Sequence, residues 1–312
     1  MRNSQPLHIK SISEFHRLRG FTPPENPLIS VVQIDSFSEA FMECNHSMFF
    51  DFYCISLKHA DNIILKYGQQ KYDFEEGVMF FMSPGQIFGF EQHDSNIENK
   101  TNETMVSGWM LLIHPDILWN TPLAKSIKRY MFFDYSVNEA LFLSEKEQHI
   151  IVGIIQNIQN ECQTNIDKFS QDIVISQLEV LLNYSDRFYN RQFITRKIAN
   201  HQILENLEKV FNFYFSEENL LQNGFPSVQD ISEKLNLSPN YLSSLLKVTT
   251  GRNTQQHIQD KLIEIAKERI STTSLSVSEI AYQLGFEHPQ SFSRIFKNKT
   301  GISPLKFRES FN

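Results

Sequence analysis

SVQDISEKLNLSPNYLSSLLKVTTG, residues 227–251, and SVSEIAYQLGFEHPQSFSRIFKNKTG, residues 276–301, are two copies of one pattern in a chain of 312 residues. The second copy starts 49 residues and ends 50 residues after the first, because it carries one extra residue, Glu287, at its turn. Each copy predicts a helix, a tight turn and a second helix. Two such units, joined by one periodic helix, favour DNA binding.

The first helix of each copy has the same start signal. Ser227 precedes Asp230 by three residues, and Ser276 precedes Glu279 by three, so both copies predict a capping box that satisfies unpaired N–H groups. The apolar residues that follow recur at steps of three and four, which indicates one buried helix face. They are Val228, Ile231 and Leu235 in the first copy and Val277, Ile280 and Leu284 in the second.

The turn and the second helix also correspond. Asn236 and Gly285 are residue types that tolerate the left-handed backbone of a sharp turn. A Ser-Pro pair at 238–239 and a His-Pro pair at 288–289 predict the next caps, with proline at the first helical position. The second helices are predicted over 239–248 and 289–298. Their buried positions are Leu242, Leu245, Leu246, Phe292, Ile295 and Phe296, and Gly251 and Gly301 follow their ends.

A plain helical solenoid is the alternative interpretation of this repeat. It is disfavoured because a solenoid needs at least three stacked units and only two are present. Between the copies, Ile258, Leu262, Ala266 and Ile270 predict one long amphipathic helix that would hold the two units at a fixed separation. A last short helix is predicted from Pro304 through Arg308.

Residues 201–312 resemble the DNA-binding domain of the AraC/XylS family of bacterial transcription regulators. The segments IAYQLGF and QSFSRIFKNKTGISPLKFR, in the second copy and its tail, carry the resemblance. It implies a seven-helix domain that places two recognition helices in successive major-groove segments of double-stranded DNA, and it implies RNA polymerase as a further partner.

Removal of the buried positions leaves one polar face on each recognition helix, and the resemblance places these faces in the groove. Asn and Gln can bond adenine bidentately, Arg can bond guanine, and lysines at helix ends more often meet phosphates. A solvated polar face is the alternative. The candidate DNA contacts are Asn240, Ser243, Ser244, Lys247, Gln290, Ser293, Arg294 and Lys297.

Composition permits this interpretation without proving it. The net charge of −7 alone disfavours nucleic acid, but residues 226–312 hold 11 lysines and arginines against 8 acidic residues, and the remainder holds 18 against 28. A mildly basic part is thus joined to an acidic one. The three scattered cysteines show no disulfide framework or metal motif. With no signal-peptide pattern and no apolar run of membrane-spanning length, we expect a cytoplasmic protein without membrane contact.

The N-terminal half predicts short strands separated by Gly, Asp, Asn and Pro, which is typical of an antiparallel barrel or sandwich. The segment GVMFFMSPGQIFGFE, residues 77–91, resembles the core of the cupin-like sensor domain of this family. The expected fold class is therefore α+β, with a cupin-like antiparallel β-barrel and helices preceding an all-α C-terminal domain. The predicted strands are 29–34, 48–57, 62–67, 77–82, 86–91 and 106–113.

A metal or cofactor is not expected, because no HxH motif occurs anywhere in the chain, although Glu91 and His93 stand near each other. A barrel interior could instead hold a small effector molecule, although side chains commonly fill small barrels. The inward candidates for ligand binding are Phe50, Phe52, Tyr53, Phe80, Phe88 and Trp109.

Amphipathic helices over 144–163 and 168–194 could cover the barrel or join two chains. The resemblance implies a homodimer through these helices, whereas the residues alone leave both possibilities open. Replacing Leu178 and Leu182 with Glu is then expected to give monomers that keep the DNA-binding fold. The expected domains are 1–195 for sensing or dimerisation, 196–200 as a linker and 201–312 for DNA binding.

The expected function is a sequence-specific transcription regulator, with activation the expected sign, and not an enzyme. A cupin-type enzyme with an accessory helical domain is one alternative, disfavoured because no nucleophile–base motif or phosphate loop occurs. An architectural DNA binder without regulation is the other.

Overall fold

The structure, a computed structural model, describes residues 6–34, 47–60, 65–67, 70–72, 77–87, 106–136, 139–163 and 169–311. The chain divides into two compact units, Met1–Gln192 and Phe193–Asn312. Among the described residues no helix is both long and apolar enough to cross a bilayer.

Strands dominate the first part of the N-terminal unit. Among the described residues these strands are β1 (Leu7–Ile9), β2 (Ile29–Ile34), β3 (Met48–Phe50), β4 (Tyr53–Ala60), β5 (Leu65–Tyr67), β6 (Gln70–Tyr72), β7 (Val78–Met82), β8 (Val106–Ile113) and β9 (Leu141–Phe142). Five of them form a sheet of order β2-β8-β4-β7-β9, with antiparallel neighbours. Over the described residues this sheet is not a closed barrel, so the structure establishes a sheet region and the cupin-like barrel stays a prediction.

The predicted strands agree with the observed ones where the apolar pattern is long. Segments 29–34 and 106–113 are β2 and β8, and 77–82 contains β7. The predicted strand 48–57 is divided into β3 and β4 by a bend at Asp51 and Phe52, so that β3 pairs with β1 whereas β4 pairs with β7 and β8. Gln86 and Ile87 are not in a strand; the Gln86 side chain accepts from Ser83 N and donates to Tyr135 O. The rest of 86–91, and 62–64, lie outside the described residues.

Helices complete the N-terminal unit: α1 (Ile12–Arg19), α2 (Pro122–Ser126), α3 (Glu145–Gln163) and α4 (Ser170–Thr195). The ranges of α3 and α4 confirm the two predicted amphipathic helices. One face of the sheet packs on the helical region, where Phe81 of β7 contacts Phe132 with ring centroids 4.4 Å apart. The other face forms a core with α1, β1 and β3 that includes Phe15, Phe50 and Cys54.

The boundary between the units falls within α4, after Gln192. Arg196 is the only described residue between α4 and the next helix, α5 (Lys197–Tyr214), so four of the five residues of the expected linker 196–200 are helical. Asn200 donates to Phe193 O, and Phe193 packs against Tyr241 (ring centroids 5.2 Å). The role of 196–200 as a linker remains a prediction.

The C-terminal unit is entirely helical over its described residues. After α5 come α6 (Glu217–Asn223), α7 (Val228–Leu235), α8 (Pro239–Thr250), α9 (Thr254–Thr272), α10 (Val277–Gln283), α11 (Pro289–Thr300) and α12 (Pro304–Glu309). The described part of this unit thus has eight helices, one more than the resemblance implies, and the short helix α6 was not predicted from the sequence. The long connecting helix is α9, and the last predicted helix is α12.

Local geometry confirms the two helix-turn-helix units. Ser227 and Ser276 both form complete capping boxes. Asn236 adopts left-handed backbone angles (φ 54°, ψ 40°), and Gly285 has φ +85° at the corresponding turn. Ser238 and His288 both occupy the predicted N-cap positions, each followed by proline, but Ser238 accepts from Tyr241 N whereas His288 makes no side-chain cap bond. Helices α8 and α11 each run two residues beyond their predicted ends.

Aromatic rings build the core of the second copy. Phe286 lies between Phe225 and Phe292, with ring centroids 5.0 and 5.5 Å away, and Phe296 contacts Phe292 (5.7 Å) and Phe307 (5.4 Å). Edge-to-face and tilted ring pairs of this kind add to the free energy of burial. The chain of rings therefore fixes α11 and α12 against the turn that precedes α11.

Ser232 in α7 is a buried polar residue whose removal should stabilise the protein. It is fully buried, and no hydrogen-bond partner for its Oγ lies among the described residues, whereas the equivalent residue of the second copy is the buried Ala281. We expect Ser232→Ala to raise the free energy of unfolding of this unit by about 1–2 kcal/mol, because it removes an unsatisfied hydroxyl from the core. Thermal denaturation followed by circular dichroism measures this change.

The matched control for this substitution is Ala281→Ser, which introduces the same hydroxyl at the equivalent position of the second copy. It should lower the melting temperature. A Ser232→Ala protein that melts below the wild type would show that the Ser232 hydroxyl has a partner in solution.

Candidate nucleic-acid interface

Helices α8 and α11 present matching polar faces. Positions 50 residues apart correspond, so Ser244 is replaced by Arg294 in the second copy, while Lys247 and Lys297 are both lysines. Each face lies opposite the buried side, which contains Leu242 and Leu246 in α8 and Phe292 and Phe296 in α11. The repeat therefore presents two surfaces at equivalent positions, and these surfaces differ in their side chains.

The second recognition helix, α11, has long polar side chains in solvent. Gln290, Arg294 and Lys297 are exposed, and Ser293 is half-buried. In the described part of the chain no ion pair involves Arg294 or Lys297. Proline at the first position and the missing side-chain cap at His288 leave the N-terminus of α11 open. Backbone N–H groups at such a helix start, with its positive end, suit a phosphate.

The first recognition helix, α8, offers shorter side chains and fewer exposed hydrogen-bond donors than α11. Lys247 is exposed, whereas Asn240, Ser243 and Ser244 are half-buried. The Ser243 hydroxyl lies 3.1 Å from Thr254 Oγ1, at the first residue of α9. This hydrogen bond joins the recognition helix to the connecting helix, so Ser243 has a structural partner before any DNA arrives.

Helix α9 packs against both recognition helices, α8 and α11. Its buried face includes Ile258, Leu262 and Ala266. At its C-terminal end, Arg308 of α12 donates to Ile270 O (3.3 Å) and Leu275 O (2.6 Å). Carbonyl groups at a helix end lack partners within the helix, and an arginine here satisfies them and suits the negative end of the helix dipole.

Backbone contact also joins the two copies. Gly224, which precedes the first copy, and Gly285, at the turn of the second, lie against each other. A Cβ atom built on Gly285 would overlap Gly224 Cα and approach Phe225 N to 2.9 Å. Only glycine at 285 permits this approach, so the turn of the second copy packs directly on the segment that precedes the first copy.

The candidate ligand residues of the N-terminal unit do not line one surface. Cross-strand partners share a face of a sheet. The register therefore places Tyr53 and Trp109 on the same face as Leu57. Phe80 lies on the opposite face, beside Ser56. Phe50 and Phe52 are buried and stacked at 4.8 Å within the core cluster of α1, β1 and β3. Phe88 lies outside the described residues, as do Glu91 and His93.

Lys58 of β4 is not among the residues that the sequence pattern predicts for a site. This lysine is half-buried on the same face as Cys54, Ser56 and Phe80, with Nζ 5.4 Å from the Phe80 ring centroid. Burial lowers the pKa of Lys58 and raises the pKa of Cys54 to about 12, so this thiol is protonated. Polar residues in an apolar β-strand are the signal that could have found this side chain.

Comparison with known proteins agrees with the geometry of the C-terminal unit. A family model described as a helix-turn-helix domain matches residues 231–310. The raffinose operon transcriptional regulatory protein RafR of Pediococcus pentosaceus is 36% identical over 84 residues, which are 27% of this chain and 30% of that protein. The arabinose operon regulatory protein of Escherichia coli (strain K12) is 28% identical over 141 residues, 45% of each protein. The chain thus matches less than half the length of these relatives.

Among solved structures, the C-terminal domain of the two-component response regulator yesN from Fusobacterium nucleatum is 37% identical, with a TM-score of 0.29. The aligned part is 32% of this chain and 95% of that one. The repeated units and their exposed polar faces define a DNA-binding domain of the helix-turn-helix class. Over residues 231–310 the chain is similar to the helix-turn-helix domains of operon regulatory proteins, as the AraC-type pattern of the repeat predicted.

Proposed function

We propose that this protein is a sequence-specific transcription regulator that reads double-stranded DNA with α8 and α11. The observation that carries the proposal is the repeat itself, since the two helix-turn-helix units share caps, turn and core and present polar faces at equivalent positions. The candidate contacts are the eight side chains from Asn240 to Lys297 named above. Gln290 and Arg294 have the length and the multiple donors that base recognition uses. A regulator of this kind would act in the cytoplasm.

Selection from random duplexes tests the proposal. The full chain is mixed with duplexes that contain a random segment of about 30 base pairs, roughly three helical turns, and the bound fraction is amplified and sequenced. We expect enrichment of a pair of short motifs about one helical turn apart. If the bound fraction has the same sequence distribution as the pool, the chain does not read sequence and the proposal is wrong.

The N-terminal unit is proposed to sense an effector or to mediate dimerisation. The family resemblance and the five-stranded sheet with its buried aromatic core support a cupin-like sensor domain for residues 1–195. The relatives' names describe operon regulators, and we extend this role to the chain as activation through RNA polymerase. Transcription in vitro from a selected site, with and without the protein, decides the sign of regulation.

We propose a homodimer through the exposed side of α4, where Ile173 and Val180 are 43% and 41% exposed on one helix face. Leu178 and Leu182 are each only 1% exposed and belong to the core of the N-terminal unit, so Glu at these positions would disturb that core as well as any interface. We expect the Ile173→Glu, Val180→Glu double variant to be a folded monomer by sedimentation at tens of micromolar, because two carboxylates cannot be desolvated in an apolar interface.

The control for the dimer is Leu178→Glu, which should unfold the N-terminal unit because it buries a charge in the core. Circular dichroism separates this loss of fold from loss of association. A wild-type chain that sediments as a monomer, or a double variant that remains a dimer, would exclude this surface as the interface.

A further inference from the structure

One carboxylate joins the two copies of the repeat. Asp260, in the second turn of α9, accepts from Arg252 Nη1 at Oδ2 (2.5 Å) and from Lys299 Nζ at Oδ1 (2.8 Å). Arg252 directly follows Gly251, the end of the first copy, and Lys299 lies in the last turn of α11. The same side chain therefore contacts the residue that directly follows the first copy and one residue of the second copy.

The start of α9 is already tied to the first copy by two further hydrogen bonds. Ser243 bonds Thr254, and Thr250 Oγ1 lies 2.7 Å from His257 Nε2. On the other side, the pair between Lys299 and Asp260 is the only ion pair between α9 and α11 among the described residues. This carboxylate is thus a directional polar link between α11 and the helix to which α8 is tied.

Apolar packing alone defines the angle between helices less sharply. The buried face of α9 brings the helices together, but hydrophobic contact is non-directional, whereas the two oxygens of Asp260 each require a donor in a defined direction. The Asp260 and Lys299 side chains are 29% and 28% exposed, so solvent screens this pair less than the surface pair Lys261–Glu264, in which the glutamate is 68% exposed.

The ionisation of Asp260 agrees with this geometry. Partial burial alone would raise its pKa, but the hydrogen bonds and positive charges of Lys299 and Arg252 outweigh burial, and the pKa lies below its ordinary value. The carboxylate is therefore charged, and accepts both hydrogen bonds, at neutral pH.

We propose that Asp260 is a positioning residue that holds α11 at a defined angle to α8 and so sets the number of base pairs between the two DNA segments that the domain reads. This inference rests on the proposed function. Each base pair advances B-DNA by about 3.4 Å and turns it by about 35°. A small rotation of α11 on α9 would therefore favour a different spacing.

The test uses a duplex selected by the wild-type full chain, together with versions in which one base pair is inserted or deleted between the two motifs. Binding titrations give the affinity ratio of the original to each altered duplex. For the wild type we expect a loss of about tenfold or more, equivalent to about 1.4 kcal/mol. For Asp260→Asn we expect the loss to shrink to about threefold or less, because α11 can adjust to the new spacing.

Glu264→Gln is the matched control, since it neutralises an exposed acid on the same helix that pairs only within α9, and it should keep the wild-type ratio. Lys299→Met should behave like Asp260→Asn, and Lys299→Arg, which can still donate to Asp260, should restore spacing selectivity. These two variants decide the question if Asp260→Asn does not fold.

Equal insertion penalties in the wild type, Asp260→Asn and Lys299→Met would overturn the inference while leaving the proposed function intact. Failure of the wild-type chain to select any duplex would instead remove the proposed function, and this inference with it. A reduced penalty in Asp260→Asn and Lys299→Met, with Glu264→Gln and Lys299→Arg unchanged, supports the positioning role.

Discussion

Gly285→Ala should destabilise the C-terminal unit by about 2–5 kcal/mol. Two costs combine: the left-handed backbone at φ +85° costs an alanine about 1–2 kcal/mol, and overlap of the new Cβ with Gly224 Cα costs about 1–3 kcal/mol more. The contact is between backbone atoms, so no side-chain rotation relieves it. Chemical denaturation followed by circular dichroism measures the change, and specific DNA binding should weaken in parallel.

Gly301→Ala separates the two costs. Gly301 also has a left-handed backbone, at φ +83°, but no described atom lies within 4 Å of a Cβ built there. This variant should lose only the conformational part, about 1–2 kcal/mol. If Gly285→Ala and Gly301→Ala are equally destabilised, the approach of Gly285 to Gly224 contributes nothing measurable.

Arg294→Ala should weaken specific binding by about 1–3 kcal/mol, which is roughly 5–150-fold, and relax the preference at one base pair. Arg294 is exposed on α11, and no ion pair in the described ranges involves it, so its guanidinium group can offer two parallel donors to a guanine edge. Binding titrations on single-base variants of a selected duplex, at two salt concentrations, measure both effects.

Lys297 and Ser244 are the controls for Arg294. Lys297→Ala should weaken binding to all duplexes alike and reduce the salt dependence, as expected for a phosphate contact. Ser244→Ala, at the equivalent position of the first copy, should do little, because a half-buried hydroxyl offers one donor. An Arg294→Ala protein that loses affinity equally for every base variant would make Arg294 a phosphate contact and exclude the assigned reading face.

The helix-turn-helix units could be predicted from sequence because their signals are local. The capping boxes at Ser227 and Ser276 involve residues three apart, and the left-handed turns at Asn236 and Gly285 depend on a single residue type. Each such signal depends only on residues that lie within one or two helical turns of one another. Even here the missing cap at His288 shows that a residue's position in a repeat does not ensure its bond.

The N-terminal unit was harder to predict because a strand acquires its inner and outer faces only through pairing. The aromatic residues named as one inward set divide between two faces, with Trp109 opposite Leu57 and Phe80 opposite Ser56. On α4 the apolar pattern identified a helix but did not distinguish the buried Leu178 from the exposed Ile173. Both assignments depend on neighbours distant in sequence.

The sequence by itself determined the paired helix-turn-helix units, the connecting helix α9 and the polar faces of α8 and α11, because caps, turns and helical period depend on residues close together in the chain. Only the tertiary structure decided how the copies are joined. Gly224 meets Gly285 across 61 residues, and Asp260 accepts from Arg252 and from Lys299, which lie 8 and 39 residues away. The physical reason is that these contacts form only when folding has closed long loops, and no local pattern of side chains records which distant partner each residue will meet.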